Sequence, residues 1–335
     1  MELFDLIQTL VSAHGPSGDE GNIRSCIAEL AAEYADEIRT DTLGNLIVHK
    51  KGTGPKVMFA AHMDSIGLIV THIEEEGYLR VGAIGGIPAA GVVGTPVRFK
   101  NGVRGVFAKE EKTEYGSLKL DDCYLDIGAK SAEEANAMVQ VGDTAVYDTL
   151  TYQNCSKVYS RYLDDRIACA ILLAAMAEVK DTDNDLYFVF TVQEEVGLRG
   201  AQTAAWDIAP DYGIAVDVTF ADDVPGAAKK GNSRLGKGAA IKVMDAGVIC
   251  HPAMVSKLSE LAKEQGIDVQ RDIIRVGRTD AAPIHLTRSG VCTGGISIPC
   301  RYMHSPTECV DLHDVQCCIR LVTAFACSKV GPFQH

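Results

Sequence analysis

Two adjacent glutamates, Glu194 and Glu195, follow a strongly apolar segment that is predicted to be a buried strand. Open α/β sheets bind their ligands at the carboxyl ends of their strands, so this is where chemistry would be placed. A pair of carboxylates there can hold a divalent cation and can also accept a proton from water. The pair alone could equally be a solvated strand end. The interpretation therefore depends on what else reaches the same edge.

Further acidic and imidazole side chains stand at or beside the ends of predicted helices and strands. They are His62 with Asp64, Asp164 with Asp165, Asp217, and His304. Alternation along an extended chain places His62 and Asp64 on the same side, so one can ligate a metal while the other fixes the imidazole tautomer. Taken singly, Asp164 could cap the helix that follows it, and Asp217 could cap or turn the chain. Their coincidence at element ends favours a metal site.

The types of donor restrict the metal. Imidazoles and carboxylates without a thiolate suit Zn²⁺, Co²⁺ or Mn²⁺ and leave room for bound water. The set holds more donors than one Zn²⁺ needs, so two ions that share a bridging carboxylate are the natural arrangement. The sequence therefore predicts two divalent metal ions per chain, with zinc or cobalt favoured and manganese as the alternative.

The elements that must position these groups alternate between helix and strand on both flanks of the chain. Helices are predicted over residues 3–13, 21–35, 163–180, 253–265 and 313–330, and strands over 45–50, 56–62, 186–193, 212–218 and 290–298. Ser17 and Glu20 are predicted to form a capping box before the second helix. Residues 66–159 instead show short β-rich runs punctuated by glycine, at the spacing of barrels and sandwiches. We therefore predict an α/β domain from residues 1–65 and 160–335, with a small β-domain inserted at 66–159.

Composition excludes several classes of partner. The net charge of −13 argues against nucleic acid or an anionic membrane as the main partner, because both need a basic face. The eleven cysteines are scattered without a C-x-x-C pair, which indicates buried reduced thiols. No apolar stretch has the length that crosses a bilayer, and the N-terminus is unlike a signal peptide. A cytoplasmic location is predicted.

Five ordered motifs resemble those of the M42 family of dinuclear metallo-aminopeptidases, the TET or glutamyl aminopeptidase-like enzymes. The motifs are Ala61-His-Met-Asp64, Leu163-Asp-Asp-Arg166, Val192-Gln-Glu-Glu-Val-Gly-Leu-Arg-Gly200, Ala215-Val-Asp-Val218 and Arg301-Tyr-Met-His-Ser-Pro306. The resemblance implies a phosphorylase/hydrolase-like α/β catalytic domain with a mixed sheet and an inserted β-barrel that serves in dimerisation. It also implies removal of N-terminal residues from peptides, and assembly of dimers into a hollow dodecamer.

The resemblance also implies a role for each site residue. Glu194 is the general base that activates a metal-bridging water, Asp64 orients His62, and the peptide bond between Asp164 and Asp165 is cis. Asp164 bridges the two ions. The implied metal ligands are His62, Asp164, Glu195, Asp217 and His304.

Arg278 departs from the family pattern, because it stands where a second glycine is expected. As a substrate-binding residue it would favour Glu or Asp as the first residue of the peptide through charge-assisted hydrogen bonds. Alternatively, it is a solvated arginine on a loop or at a subunit contact.

Two other functions remain open on the sequence. Paired carboxylates also serve glycoside hydrolysis, although the two histidines are better explained by metal. An inactive scaffold of the same fold is the other alternative, and the intact ligand set argues against it. The sequence does not disclose the preferred N-terminal residue, the native metal, or whether dimers or dodecamers dominate.

Overall fold

A computed structural model describes residues 1–227 and 231–331 of the chain. Its helices are α1 (Leu3–Ser12), α2 (Gly21–Ala31), α3 (Ala89–Val92), α4 (Ala132–Met138), α5 (Leu163–Glu178), α6 (Arg199–Ile208), α7 (Pro252–Gln265), α8 (Ala281–His285) and α9 (Leu312–Cys327). Its first strands are β1 (Glu37–Thr40), β2 (Leu46–Lys50), β3 (Lys56–His62), β4 (Gly67–Ile73), β5 (Leu79–Ile84), β6 (Pro96–Phe99), β7 (Arg104–Lys109), β8 (Cys123–Asp126) and β9 (Thr144–Tyr147). The later strands are β10 (Tyr152–Asn154), β11 (Lys157–Ser160), β12 (Asp185–Thr191), β13 (Tyr212–Phe220), β14 (Ala239–Met244), β15 (Val269–Ile273), β16 (Cys292–Cys300) and β17 (Glu308–Asp311).

An eight-stranded mixed sheet forms the centre of the molecule, in the order β1-β2-β12-β3-β13-β16-β14-β15. The four central strands β12, β3, β13 and β16 are parallel neighbours. Successive residues of β3 face opposite sides, and both sides are buried. Val57 and Phe59 belong to the core shared with α5 and α9, whereas Met58 and Ala60 pack with α6 and α8. Burial on both faces explains why these strands are almost continuously apolar.

A closed six-stranded barrel, in the order β4-β5-β8-β7-β6-β9, lies in the chain between β3 and α5. It has a hydrophobic core of its own, in which Leu79, Val97, Phe107 and Leu125 are fully buried. The predicted fold class, a mixed α/β sheet together with a small β-barrel, is confirmed. The boundaries at residues 65 and 160 remain a prediction.

Several local predictions need correction. Ser17 and Glu20 do not form a capping box, because the Ser17 hydroxyl donates to Asp64 and the Glu20 carboxylate accepts the N–H of Gly18 rather than that of Ser17. The second predicted helix leaves α-geometry after Ala31 and continues as a short 3₁₀ turn to Tyr34. A small sheet that the sequence did not indicate joins β10 and β11 to β17.

Two further predictions concern membrane-spanning segments and the state of the cysteines. Across residues 1–227 and 231–331, no helix is long and apolar enough to span a bilayer. All eleven cysteines are free thiols, and most are buried.

Candidate metal centre

The predicted site residues come together at the carboxyl ends of the parallel strands. His62 is the last residue of β3, and Glu194 and Glu195 follow β12. Asp217 lies near the end of β13, which pairs with β3 in parallel. His304 follows β16, so it approaches the same edge. The sheet order explains this convergence, because neighbouring parallel strands end on the same side.

Asp164 lies between the two imidazoles. One of its carboxylate oxygens, Oδ1, is 3.0 Å from His62 Nε2, and the other, Oδ2, is 3.3 Å from His304 Nε2. The peptide bond to Asp165 is cis, as expected, and both residues have non-helical backbone angles within the first turn of α5. Asp164 therefore acts as neither a helical residue nor a cap. Its two oxygens point toward two different imidazole groups.

The other predicted ligands lie around this arrangement. Asp217 Oδ1 is 4.0 Å from His62 Nε2, and Glu195 Oε2 is 3.4 Å from His304 Nε2. Donor atoms of His62, Asp164 and Glu195 lie within 4.8 Å of one another, as do those of His62, Asp165 and Asp217. Asp165 was not predicted as a ligand, although it is the neighbour of Asp164 in the sequence. The structure thus brings all five predicted ligands together and adds a further carboxylate.

The carboxylate of Asp64 contacts the backbone of the two glutamates. Asp64 Oδ1 accepts the N–H of Glu194 at 3.0 Å, and Oδ2 accepts the N–H of Glu195 at 3.3 Å and the Ser17 hydroxyl at 2.6 Å. The predicted contact between Asp64 and His62 is made by the backbone of Asp64 and not by its carboxylate. His62 Nδ1 lies 3.6 Å from the carboxylate, too far for a hydrogen bond, but 3.1 Å from the backbone carbonyl of Asp64. Asp64 is therefore placed to hold the glutamate loop as well as the imidazole.

Glu308 is a buried acid of the centre that the sequence does not predict. Its Oε1 accepts the N–H of His304, and its Oε2 accepts the N–H of Asp164, both at 2.9 Å. His304 Nδ1 is also 2.8 Å from the carbonyl of Gly86, which follows β5 of the barrel. Nothing in the local sequence around Glu308 distinguishes it from an ordinary strand acid. Glu308 begins β17, and its contact with Asp164 in the first turn of α5 depends on the packing of these two elements.

The electrostatics of the centre are dominated by buried carboxylates. Burial raises the pKa of Glu194 and of Asp217 well above the ordinary carboxyl value, and repulsion from nearby acids adds to the effect. Burial, together with the adjacent Asp164, raises the pKa of Glu195 to about 7. Burial also acts to raise the pKa of Asp164. The hydrogen bonds of Asp164 with His304 and His62 outweigh burial, however, and lower this pKa below the ordinary carboxyl value. Burial lowers the pKa of His304, but Asp164 and Glu195 outweigh it and raise the value to about 10.

These residues fit divalent cations. Buried anions in such number are costly unless cations compensate them, and two imidazoles are too few to do so. Glu195 Oε1 and Asp165 Oδ1 are buried and have no hydrogen-bond partner in the described part of the chain. Metal ions at this position would occupy those oxygens and supply the missing positive charge.

The donors open into a cleft of about 360 Å³. Arg278, an exposed residue, and Thr279 contribute to its wall. Asp280 lies next in the chain; it is buried and accepts the Thr191 hydroxyl at 2.5 Å. Asp280 was not among the predicted site residues either. Arg278 therefore lies where a substrate side chain could reach it.

Comparison with known proteins identifies relatives along the whole chain. The model of a family described as M42 glutamyl aminopeptidase matches residues 44–321. A lysyl aminopeptidase of Pyrococcus furiosus is 39% identical over 335 residues, which cover 96% of each chain. An aminopeptidase from the archaeon Desulfurococcus kamchatkensis is 40% identical with a TM-score of 0.92, over 98% of this chain and 95% of that one. The TET1 peptidase of Pyrococcus horikoshii, which can assemble into a tetrahedron or a large octahedral shell, is 32% identical with a TM-score of 0.89, over 97% and 99% of the two chains.

Proposed function

Because the chain belongs to the M42 family of peptidases and is an aminopeptidase, we propose that it uses two divalent metal ions and Glu194 as general base. The observation that carries this proposal is the position of Asp164, with one carboxylate oxygen toward His62 and the other toward His304. A carboxylate in that position is suited to bridge two cations.

The proposed ligands form two groups around Asp164. His62 and Asp217 would hold one ion, and His304 and Glu195 would hold the other, with Asp164 shared between them. Imidazole and carboxylate donors favour zinc or cobalt, with manganese as the alternative. When bound, such ions lower the pKa of water and polarise a carbonyl group.

In this proposal Glu194 moves the proton. Its Oε2 lies 3.9 Å from His62 Nε2, so its carboxylate borders the donor cluster, and Asp64 holds its backbone N–H. Glu194 would take a proton from the attacking water and deliver it to the amine that leaves when the first peptide bond breaks. The free α-amino group of the substrate would pair with the acidic donors, which confines cleavage to the N-terminal residue.

Replacing Glu194 with glutamine tests this role. We expect Glu194→Gln to lower kcat by about 10²- to 10⁴-fold, the usual contribution of a general base. Metal content, measured by mass spectrometry of the purified protein, should stay the same, because glutamine retains the side-chain shape and Glu194 is outside the proposed ligand set. Glu264→Gln, an exposed position on α7, serves as the matched control. Near-normal turnover by a metal-loaded Glu194→Gln enzyme would exclude the proposal.

Arg278 supports a proposal about the first residue of the substrate. Because Arg278 lines the cleft, its guanidinium would favour Glu or Asp there through charge-assisted hydrogen bonds. The relative from Pyrococcus furiosus is named for lysine, so relatives of this fold differ in preference. Hydrolysis rates of glutamyl, leucyl and lysyl anilides measure the preference directly. Faster cleavage of the leucyl than of the glutamyl anilide would reject this role.

We also propose that residues 66–159 serve in dimerisation and that dimers assemble into a dodecamer. Support comes from the relative that forms tetrahedral and octahedral shells, and from large apolar side chains exposed on this part of the chain. Val141 is 60% exposed and Tyr115 is 57% exposed. Light scattering on the purified protein should give a mass of twelve chains, and a monomer mass would contradict the assembly.

The two alternatives to a peptidase are less well supported. A glycoside hydrolase needs only the paired carboxylates, which leaves the two imidazoles beside Asp164 unexplained. An inactive scaffold has no need for buried carboxylate oxygens without a partner. The match to a peptidase family also favours peptide hydrolysis over both.

A further inference from the structure

A second groove, of about 870 Å³, adjoins the catalytic cleft. The two depressions have Gly197, Leu198 and Arg278 in common, so they form one continuous surface. We call the second one the Trp206 groove. The residues that line only this second groove include Trp206, Ala282, Pro283, Leu286, Thr287 and Arg288.

The Trp206 groove exposes large apolar side chains beside the site. Trp206, which lies on α6 and is the only tryptophan of the chain, is 59% exposed. Leu286, which follows α8, is 71% exposed. Exposed apolar surface of this kind usually marks a binding site, and tryptophan is among the residues that contribute most at such sites.

The groove also holds cationic groups that are not neutralised. The guanidinium of Arg288 lies 4.5 Å from the ring centroid of Trp206, and its Nε donates to the Trp206 carbonyl at 3.0 Å. Within the described parts of the chain, neither Arg288 nor Arg278 has a carboxylate oxygen within 4.0 Å. In a protein of net charge −13, two such arginines along one groove create a local preference for an anion.

We propose that the Trp206 groove binds the carboxyl-terminal part of a short peptide substrate, with Arg288 pairing with the terminal carboxylate. This inference rests on the proposed function, because it places the N-terminal residue of the peptide at the acidic donors. From there the chain passes Arg278 and Leu198 and enters the groove. Trp206 and Leu286 contact the apolar side chains of the downstream residues.

The arrangement makes the enzyme selective for peptide length and for a free carboxyl end. An extended peptide advances by about 3.3 Å per residue, so only peptides above a minimum length reach Arg288. A guanidinium that rests on an aromatic ring is already oriented, so less freedom is lost when it binds a carboxylate. The substrate class is therefore short peptides with apolar residues after the first position and an unblocked carboxyl terminus.

Matched pairs of peptides test the pairing. Leu-(Ala)n peptides of two to six residues are assayed as free acids and as carboxyl-terminal amides. At the length that reaches Arg288, we expect the free acid to have a kcat/KM about tenfold above that of the amide, as one charge-assisted hydrogen bond provides. In Arg288→Gln this ratio should fall to about one. Arg320→Gln, which removes an exposed arginine that likewise donates to a backbone carbonyl, should keep the wild-type ratio.

The single tryptophan gives a readout that does not need catalysis. In Glu194→Gln protein loaded with zinc, binding of the preferred free-acid peptide should shift the fluorescence of Trp206, whereas dipeptides should not. Binding that calorimetry detects without a change in emission would overturn the proposal. An unchanged ratio of kcat/KM between free acid and amide in Arg288→Gln would also overturn it. A change in the assembly mass of that variant would do so as well, because it would show that the groove is a subunit contact. In contrast, the absence of cleavage of every peptide by the wild-type enzyme would refute the proposed function itself.

Discussion

At the scale of single residues, the centre depends on acids that bind backbone groups as much as on those that face the cleft. Asp64 accepts the N–H groups of Glu194 and Glu195, and Glu308 accepts those of His304 and Asp164. A buried carboxylate that accepts N–H bonds fixes the position of the residues that carry them. Both acids therefore orient the donors without facing the substrate.

Glu308 provides a test of this positioning. We expect Glu308→Gln to weaken zinc binding by about 10- to 100-fold, because an amide presents only one acceptor where Asp164 and His304 need two. Competition with a chromophoric chelator measures the affinity. Glu260→Gln, on the outer face of α7, is the control for the charge change. Unaltered affinity in Glu308→Gln would show that the two N–H contacts are dispensable.

The sequence predicted the proposed metal donors and Asp64, but it did not predict Glu308, which accepts the N–H groups of Asp164 and His304. His62, Asp217 and Glu195 stand at strand ends, and that position can be read from local hydrophobic patterns. Glu308 contacts Asp164 across 144 positions of the chain, and no local pattern reports such a contact. Ser17 shows the same limit. The capping-box pattern predicted Ser17 as a helix cap, but its hydroxyl donates to the buried carboxylate of Asp64, 47 residues away.

At the scale of elements, the loop between β12 and α6 determines where the two glutamates point. Gln193 and Leu198 have positive φ angles, so the loop turns back sharply at both ends. It is anchored by Asn45, whose side chain donates to the Gly200 carbonyl and accepts the N–H of Val192. The motif predicted this loop as a functional segment, but its anchor, Asn45, lies just before β2, and that contact depends on the pairing of β2 with β12.

Gly200 gives a prediction for this loop. A Cβ at this position would lie 2.3 Å from Asn45 Oδ1 and 2.4 Å from the Val192 carbonyl, so the loop would have to move. We expect Gly200→Ala to lower the free energy of unfolding by about 1–3 kcal/mol, as overpacking does, and to lower kcat as well. Urea unfolding and the peptidase assay measure the two effects.

Gly116 is the matched control for that substitution. Among residues 1–227 and 231–331, no atom lies within 4 Å of a Cβ added at Gly116, and the φ of Gly116 is not positive. Gly116→Ala should therefore leave stability and turnover close to the wild-type values. Equal effects of the two substitutions would mean that the space around Gly200 is not the cause.

At the scale of the whole molecule, the fold concentrates negative charge at one edge of its central sheet. Asp64, Asp165, Asp217 and Glu308 are buried there, and the fully buried Lys242 pairs with Asp272 rather than with them. Taking charges out of water costs free energy unless opposite charges are close. Metal ions would therefore contribute to stability as well as to catalysis, since binding to the folded state alone shifts the folding equilibrium.

This charge distribution predicts opposite pH dependence with and without metal. The pKa of Glu195, ordinarily 4.5, is raised to about 7, so the folded chain holds this proton more tightly and loses stability as pH rises between those values. His304, with its pKa raised from 6.5 to about 10, contributes stability below 6.5 that is lost as pH rises through 10. Zinc binding needs deprotonated donors, which reverses the slope.

Thermal unfolding between pH 5 and 8 measures this difference. In the presence of a chelator, we expect Tm to fall as pH increases. With zinc in excess, Tm should rise over the same range. A Tm that increases with pH in the chelated protein would contradict the assignment of raised carboxyl pKa values.

The hydrogen bond that His304 donates to the Gly86 carbonyl limits how this protein can be redesigned. The Gly86 carbonyl, which is 2.8 Å from His304 Nδ1, lies just after barrel strand β5, whereas His304 follows β16 of the central sheet. A shortened enzyme that lacked the barrel would leave that imidazole free to rotate and to adopt the other tautomer. Any graft of a foreign module between β3 and α5 must therefore bring an oxygen acceptor to the same place.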